Sequence, residues 1–189
     1  MALKNKNLLV VSTGLAVQAA ILVLLNAFIP KIAGYEAMWI AFQCWAVYFV
    51  SGCTPMGGFK AWVGYLTGII ASIAIIELMG VPGIKDIPSV GGMNLVMAAA
   101  VFIVVIPAIM TENAKNFVPA LFIGSGCFFA ISTIMGLDTK NGFEALGAST
   151  SMSKHLLAMR VELIYCLIGQ VFGFITVFWR GKYEASLAK

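Results

Sequence analysis

The chain is 189 residues long, 61% hydrophobic and only 11% charged, with a mean hydropathy of +0.97. A soluble domain carries about 25% charged residues, so an ordinary water-soluble fold is excluded and a polytopic, all-α membrane protein is expected. The formal charge of +4 comes from Lys and Arg that sit mostly at segment ends, where headgroups and the orientation rule account for them; no nucleic-acid partner is expected.

About six spans of ~20 residues use roughly 120 positions and leave no room for a second domain, so residues 1–189 read as one transmembrane unit. The first span is expected near 8–29. It follows Lys4 and Lys6, is too long for a signal peptide, has no small-residue cleavage site, and closes at Pro30. The second, 37–52, is short. CTPMGGFKAW from Cys53 then groups helix-ending residues around a lysine, and the third span is expected over 61–80. Val81 to Gly92, with three glycines and two prolines, reads as an exposed loop. The fourth span covers 93–110 with Pro107 in its last turn, TENAKN makes a turn, and the fifth covers 117–136. Residues 142–160 are only moderately apolar and carry Glu144, Lys154 and His155, so a short interfacial or re-entrant helix is expected there before the last span, 161–179.

With six spans, seven basic residues (Lys4, Lys6, Lys60, Lys115, Arg180, Lys182, Lys189) share one side and five (Lys31, Lys85, Lys140, Lys154, Arg160) the other. That bias favours cytoplasmic termini. If 142–160 crosses the membrane as well, the carboxy end lies outside.

GGFKAWVG at Gly57 and NGFEALGA at Asn141 lie 84 residues apart, and the same offset lays the first two spans over the fourth and fifth. Two readings stand: an inverted pair of three-helix units, as transporters use around a central pathway, or chance, since Gly-Phe is common in a chain with 19 Gly and 13 Phe.

The proposed solute pathway comprises Gln43, Thr54, Gly57, Gly58, Lys60 and Glu144. Gly57, Gly58 and Pro55 interrupt helix geometry and free amides for a polar solute while Lys60 supplies charge, and Glu144 takes the position of Lys60 in the second unit. The bland alternative is a loop whose lysine snorkels to the headgroups. Gln18, Gln43, Asn94 and Gln170 lie within spans and serve either helix adhesion or solute contact. Glu77, Glu162 and His155 read as interfacial. The glycines of GYLTG and GQVFG favour close helix approach and offer flat faces to neighbouring copies in a homo-oligomer.

Cys44, Cys53, Cys127 and Cys166 show no metal-type spacing and read as free thiols. There is no HExxH, GxSxG or Walker loop, so no enzyme activity, metal or cofactor is expected. The function expected is a channel or secondary transporter for a small polar or weakly charged solute. A non-catalytic scaffold or accessory subunit is the alternative, with membrane lipid as the common partner.

AFQCWAVYFVSG, CTPMGGFKAWVG and FVPALFIGSGCFFA resemble the bacterial inner-membrane family catalogued as domain of unknown function 1097. The resemblance runs from Leu8 to Trp179, with Gly142 to His155 more polar than the family pattern, and implies a multi-pass protein of the inner membrane with no substrate or catalytic residues to carry over.

Overall fold

The computed structural model describes residues 5–91, 93–114 and 116–187, so Lys4, Lys115 and Lys189 of the charge count, and Gly92, lie outside the described residues. The helices are α1 (Asn5–Leu25), α2 (Ile29–Ala33), α3 (Met38–Val50), α4 (Pro55–Met79), α5 (Leu95–Met110), α6 (Val118–Leu137) and α7 (Ser151–Leu187), with a 3-10 turn over Thr111–Ala114. No strand occurs among the described residues; Val90 and Met93 form an isolated bridge.

The bundle is all-α, but its lengths correct the sequence reading. Four helices, α1, α4, α6 and α7, are long and apolar enough to cross a membrane, whereas α3 and α5 are shorter apolar helices. With 13 residues, α3 rises only ~20 Å at 1.5 Å per residue, against a hydrocarbon core of ~30 Å.

Three boundaries move. The first span ends at Leu25 rather than 29, and Pro30 falls in the first turn of the short α2 instead of closing α1. The third span begins at Pro55 rather than 61, because the chain reverses earlier, at Gly52 and Cys53, which take φ of 99° and 55°. Thr54 then caps the helix by accepting a hydrogen bond from Gly57 N at 3.0 Å, and Pro55 occupies the first turn, where its missing amide proton costs little. Gly57 and Gly58 are therefore helical, and CTPMGG does not unwind the backbone beyond Thr54.

The separate helix at 142–160 is not formed either. Residues 142–147 make turns, set by Asp138 Oδ1, which accepts from the amides of Lys140 and Asn141 at 2.9 Å. From Ser151 the chain enters α7 and continues unbroken for 37 residues, since nothing between Lys154 and Val161 stops a helix. A helix of that length spans ~55 Å and projects beyond the hydrocarbon core.

Two parallel crossings organise the interior. On α7, Gly169 lies against the Ala41 carbonyl, Cys44 Cβ and Trp45 N of α3, and Gly173 a turn later against Tyr48. On α4, Gly64 meets the Phe117 carbonyl, Ala120 Cβ and Leu121 N of α6, and Gly68 meets Leu121 and Ser125. Each long helix thus places its glycine over the same three positions of its partner, and a Cβ at Gly64 or Gly169 would sit 2.8 or 2.7 Å from the facing Cβ. These glycines are internal, so GYLTG and GQVFG are not faces for neighbouring copies: the close approach is spent inside one chain.

Helix α1 runs antiparallel along α7, held by Thr176 donating to Gln18 at 2.6 Å and by Trp179 lying over Gly14. Its outward side carries exposed Leu9, Val17 and Leu24, as α5 exposes Phe102, Ile103 and Ile106. Such a surface suits acyl chains.

Candidate functional site

The buried polar residues are Ser72, His155, Glu162, Gln170 and Thr176, and all but Ser72 belong to α7. With buried Cys166 they recur at helical spacing along 155, 162, 166, 170 and 176, which at 3.6 residues per turn places them on one stripe. That stripe faces the core formed with α3, α4 and α6.

At its amino-terminal end, α7 is fastened to the end of α4. Glu77 Oε1 accepts from Ser151 Oγ at 2.5 Å and pairs with His155 Nε2 at 2.8 Å, while Ser151 Oγ and His155 Nε2 lie 3.1 Å apart. Glu77 is 56% exposed and His155 only 8%, so the cluster connects solvent with the core. His155 is thus a buried partner of a carboxylate rather than a free interfacial side chain.

Two turns deeper, Glu162 is 0% exposed and neither carboxyl oxygen has a hydrogen-bond partner among the described residues. The sequence reading placed it in the first turn of a helix starting at 161, within reach of water. The longer α7 puts it eleven residues from the helix start and corrects that reading. Cys44 of α3, Cys127 of α6 and Cys166 of α7 are within electrostatic reach of its carboxyl. The thiols of Cys44 and Cys166 touch at 3.3 Å; all four cysteines are free.

Further along, Gln170 Nε2 donates to the Cys44 carbonyl and to Tyr65 Oη, both at 2.8 Å, leaving its Oε1 without a partner. Tyr48 Oη is likewise unpartnered, and both residues line a groove of about 310 Å³ with Gly58 and Trp62. The stripe ends where Trp45 Nε1 donates to Thr176 Oγ1 at 3.0 Å. Each unsatisfied buried polar atom costs about 1–3 kcal/mol, so Glu162, Gln170 and Tyr48 lower the stability of this face.

The sequence-proposed pathway residues do not converge. Gln43 is exposed on α3 and accepts from Cys127 Sγ at 3.1 Å. Thr54 and Lys60 are exposed and Gly57 and Gly58 buried, all at the start of α4, where Lys60 lines a cavity of about 500 Å³ with Thr67, Thr111 and Asn116. Glu144 is exposed in the turns after α6, at the opposite end of the bundle because α4 and α6 run parallel. Asn94 caps α5, accepting from Met97 N at 3.0 Å, rather than lying within a span. Sequence reasoning missed Glu162 and the Glu77–His155 pair as members of one site, although the spacing of His155, Glu162, Cys166 and Gln170 carried the signal.

Near Asp138, outside the spans, an open cavity of about 750 Å³ is lined by Tyr35, Glu36, Trp39, Asp138 and Asn141. Tyr35 Oη donates to Asp138 Oδ2 at 2.9 Å. Burial and this carboxylate push the Tyr35 hydroxyl up to about 12, and the Asn141 amide, the Tyr35 hydroxyl and the Lys140 amide hold Asp138 below the usual carboxylate range.

A family profile described as Protein of unknown function (DUF1097) matches residues 16–179. The chain belongs to the DUF1097 family. That match contains the whole polar stripe from His155 to Thr176, and with the apolar helices it makes the chain a multi-pass membrane protein of the bacterial inner membrane. No curated protein and no solved structure matches it.

Proposed function

We propose that this DUF1097 protein is a secondary transporter for a small polar or weakly charged solute, with the core face of α7 along the route and with no catalytic role. The observation that carries this reading is the stripe from His155 to Thr176, whose Glu162 and Gln170 keep polar atoms unsatisfied inside a lipid-facing bundle. An adhesive polar contact would be expected to satisfy those atoms.

The matching crossings of α3 with α7 and α6 with α4 support the inverted-unit reading, in a register different from the sequence offset of 84. Aligned by their glycine contacts, Ala41 corresponds to Phe117 and Gly64 to Gly169, offsets of 76 and 105. Such a pair gives a carrier two exchangeable arrangements of the same helices. The short α3 and α5 complete six crossings with both termini cytoplasmic, and exposed Gln43 on α3 suits contact with a second copy.

The tight glycine crossings favour a second reading, a scaffold or accessory subunit whose polar groups only fix helix positions. Flux in proteoliposomes over ammonium, urea, small carboxylates and amino acids separates the two. Uptake of at least one solute above empty vesicles, diminished by Glu162→Gln and Gln170→Ala, is expected; Lys60→Ala and Gln43→Ala test the sequence-proposed route in parallel. Correctly oriented, folded protein that transports no member of the panel would favour the scaffold.

A further inference from the structure

We propose that Glu162 is a proton-binding site that holds its proton while the core is closed and releases it when the core opens to water. Proton coupling of solute movement rests on the transport reading above; the protonation itself stands on geometry. The side chain is fully buried and both oxygens lack a partner among the described residues.

The titratable groups within electrostatic reach of its carboxyl are thiols, none of them hydrogen-bonded to it: Cys44 from α3, Cys127 from α6 and Cys166 from α7. Helix α4 contributes Tyr65, which accepts from Gln170 Nε2 and is within electrostatic reach of Cys44 and Cys166. The ion pairs formed among the described residues, His155 with Glu77 and Arg180 with Glu184, do not involve Glu162. An ion without counter-charge or hydrogen bonds at such a place costs several kcal/mol, and binding one proton removes that charge. A metal ion fits poorly, because no group of three His, Cys, Asp or Glu among the described residues is arranged to hold one.

A solvent-exposed carboxylate is tied to the same stripe. Glu77 is exposed and bonded to buried His155, which lies seven residues before Glu162 on the same stripe, ~10 Å along the helix. On opening, the carboxylic acid gives its proton to water and becomes a carboxylate; on closing from the other side it takes one back. No other bond is made or broken.

Infrared spectra of the reconstituted protein test the site without a known solute. Every other acidic side chain is exposed or partly exposed, so at neutral pH a protonated carboxyl stretch is expected in the wild type and should vanish in Glu162→Gln. If that variant does not fold, a pH titration of the wild type decides alone: an acid band that persists at neutral pH supports the site, and carboxylate bands only would overturn it.

A second readout is maleimide labelling of Cys44, Cys127 and Cys166 relative to exposed Cys53 in the same molecule. That ratio is expected to rise about tenfold or more as pH is raised in the wild type and to stay low in Glu162→Gln; an equal rise in both would overturn the release step. An acid band with no flux for any solute would retire the transport reading while leaving the proton site standing. Flux that is unchanged in Glu162→Gln and drives no internal acidification would retire the coupling and the place of Glu162 on the route, while leaving its protonation standing.

Discussion

Fully buried Glu162, with no partner for either oxygen, is costly to fold around, and that cost makes stability and function separable. Replacing a buried polar group that has no partner by an apolar side chain of similar shape is nearly neutral or stabilising. Glu162→Met is therefore expected to raise stability on the order of 1 kcal/mol or leave it unchanged while abolishing flux; thermal melts in detergent beside vesicle uptake measure both.

The Tyr35–Asp138 bond, outside the spans, sets a pH window. Asp138 is held below its ordinary value, so its contribution is complete above the unfolded value of ~4 and is lost as pH falls through the folded one. Tyr35 is raised to about 12, so its contribution is complete below ~10 and is lost as pH rises through about 12. The melting difference between wild type and Tyr35→Phe should be flat from about pH 5 to 9 and shrink on either side. A difference that peaks inside that window would contradict the assignment.

Among elements, the crossings of α4 with α6 and α7 with α3 depend on glycines where a Cβ would collide with the facing helix. Gly64→Ala and Gly169→Ala are each expected to destabilise by about 1–3 kcal/mol, and by similar amounts because the contacted positions correspond. Denaturant titration in mixed micelles reports both. The apolar runs of α1, α5 and α6 were legible in the sequence because length and hydropathy fix a membrane helix. Two junctions were not. Pro55 reads as a breaker until Thr54 is seen to cap the helix it opens. The polar run SMSKHLLAMR reads as interfacial until the contacts of Ser151 and His155 with Glu77 show it to be the start of a single 37-residue helix. Glu162 escaped notice for that reason: its depth follows from where α7 begins.

At the scale of the molecule, the seven-to-five charge asymmetry favours cytoplasmic termini, an orientation that labelling tests. Leu3→Cys and Ala188→Cys, each in a thiol-free background, are expected to resist impermeant maleimide in intact cells and to react after the membrane is opened. Labelling of both from outside would invert the topology. Particle size in nanodiscs tests assembly: a homo-oligomer is expected, and a single protomer would count against it.

The central claim is that the core face of α7 is wetted during function. Single cysteines along that face, Ala158→Cys, Glu162→Cys, Gln170→Cys and Thr176→Cys, are to be compared in membranes with exposed apolar positions of the same helix, Leu167→Cys, Val171→Cys and Phe178→Cys. Faster reaction of the core-face set with a small water-soluble thiol reagent is expected, although that face is buried in the closed structure. Core-face cysteines as inert as the apolar set would contradict the transport route and leave the stripe a packing device.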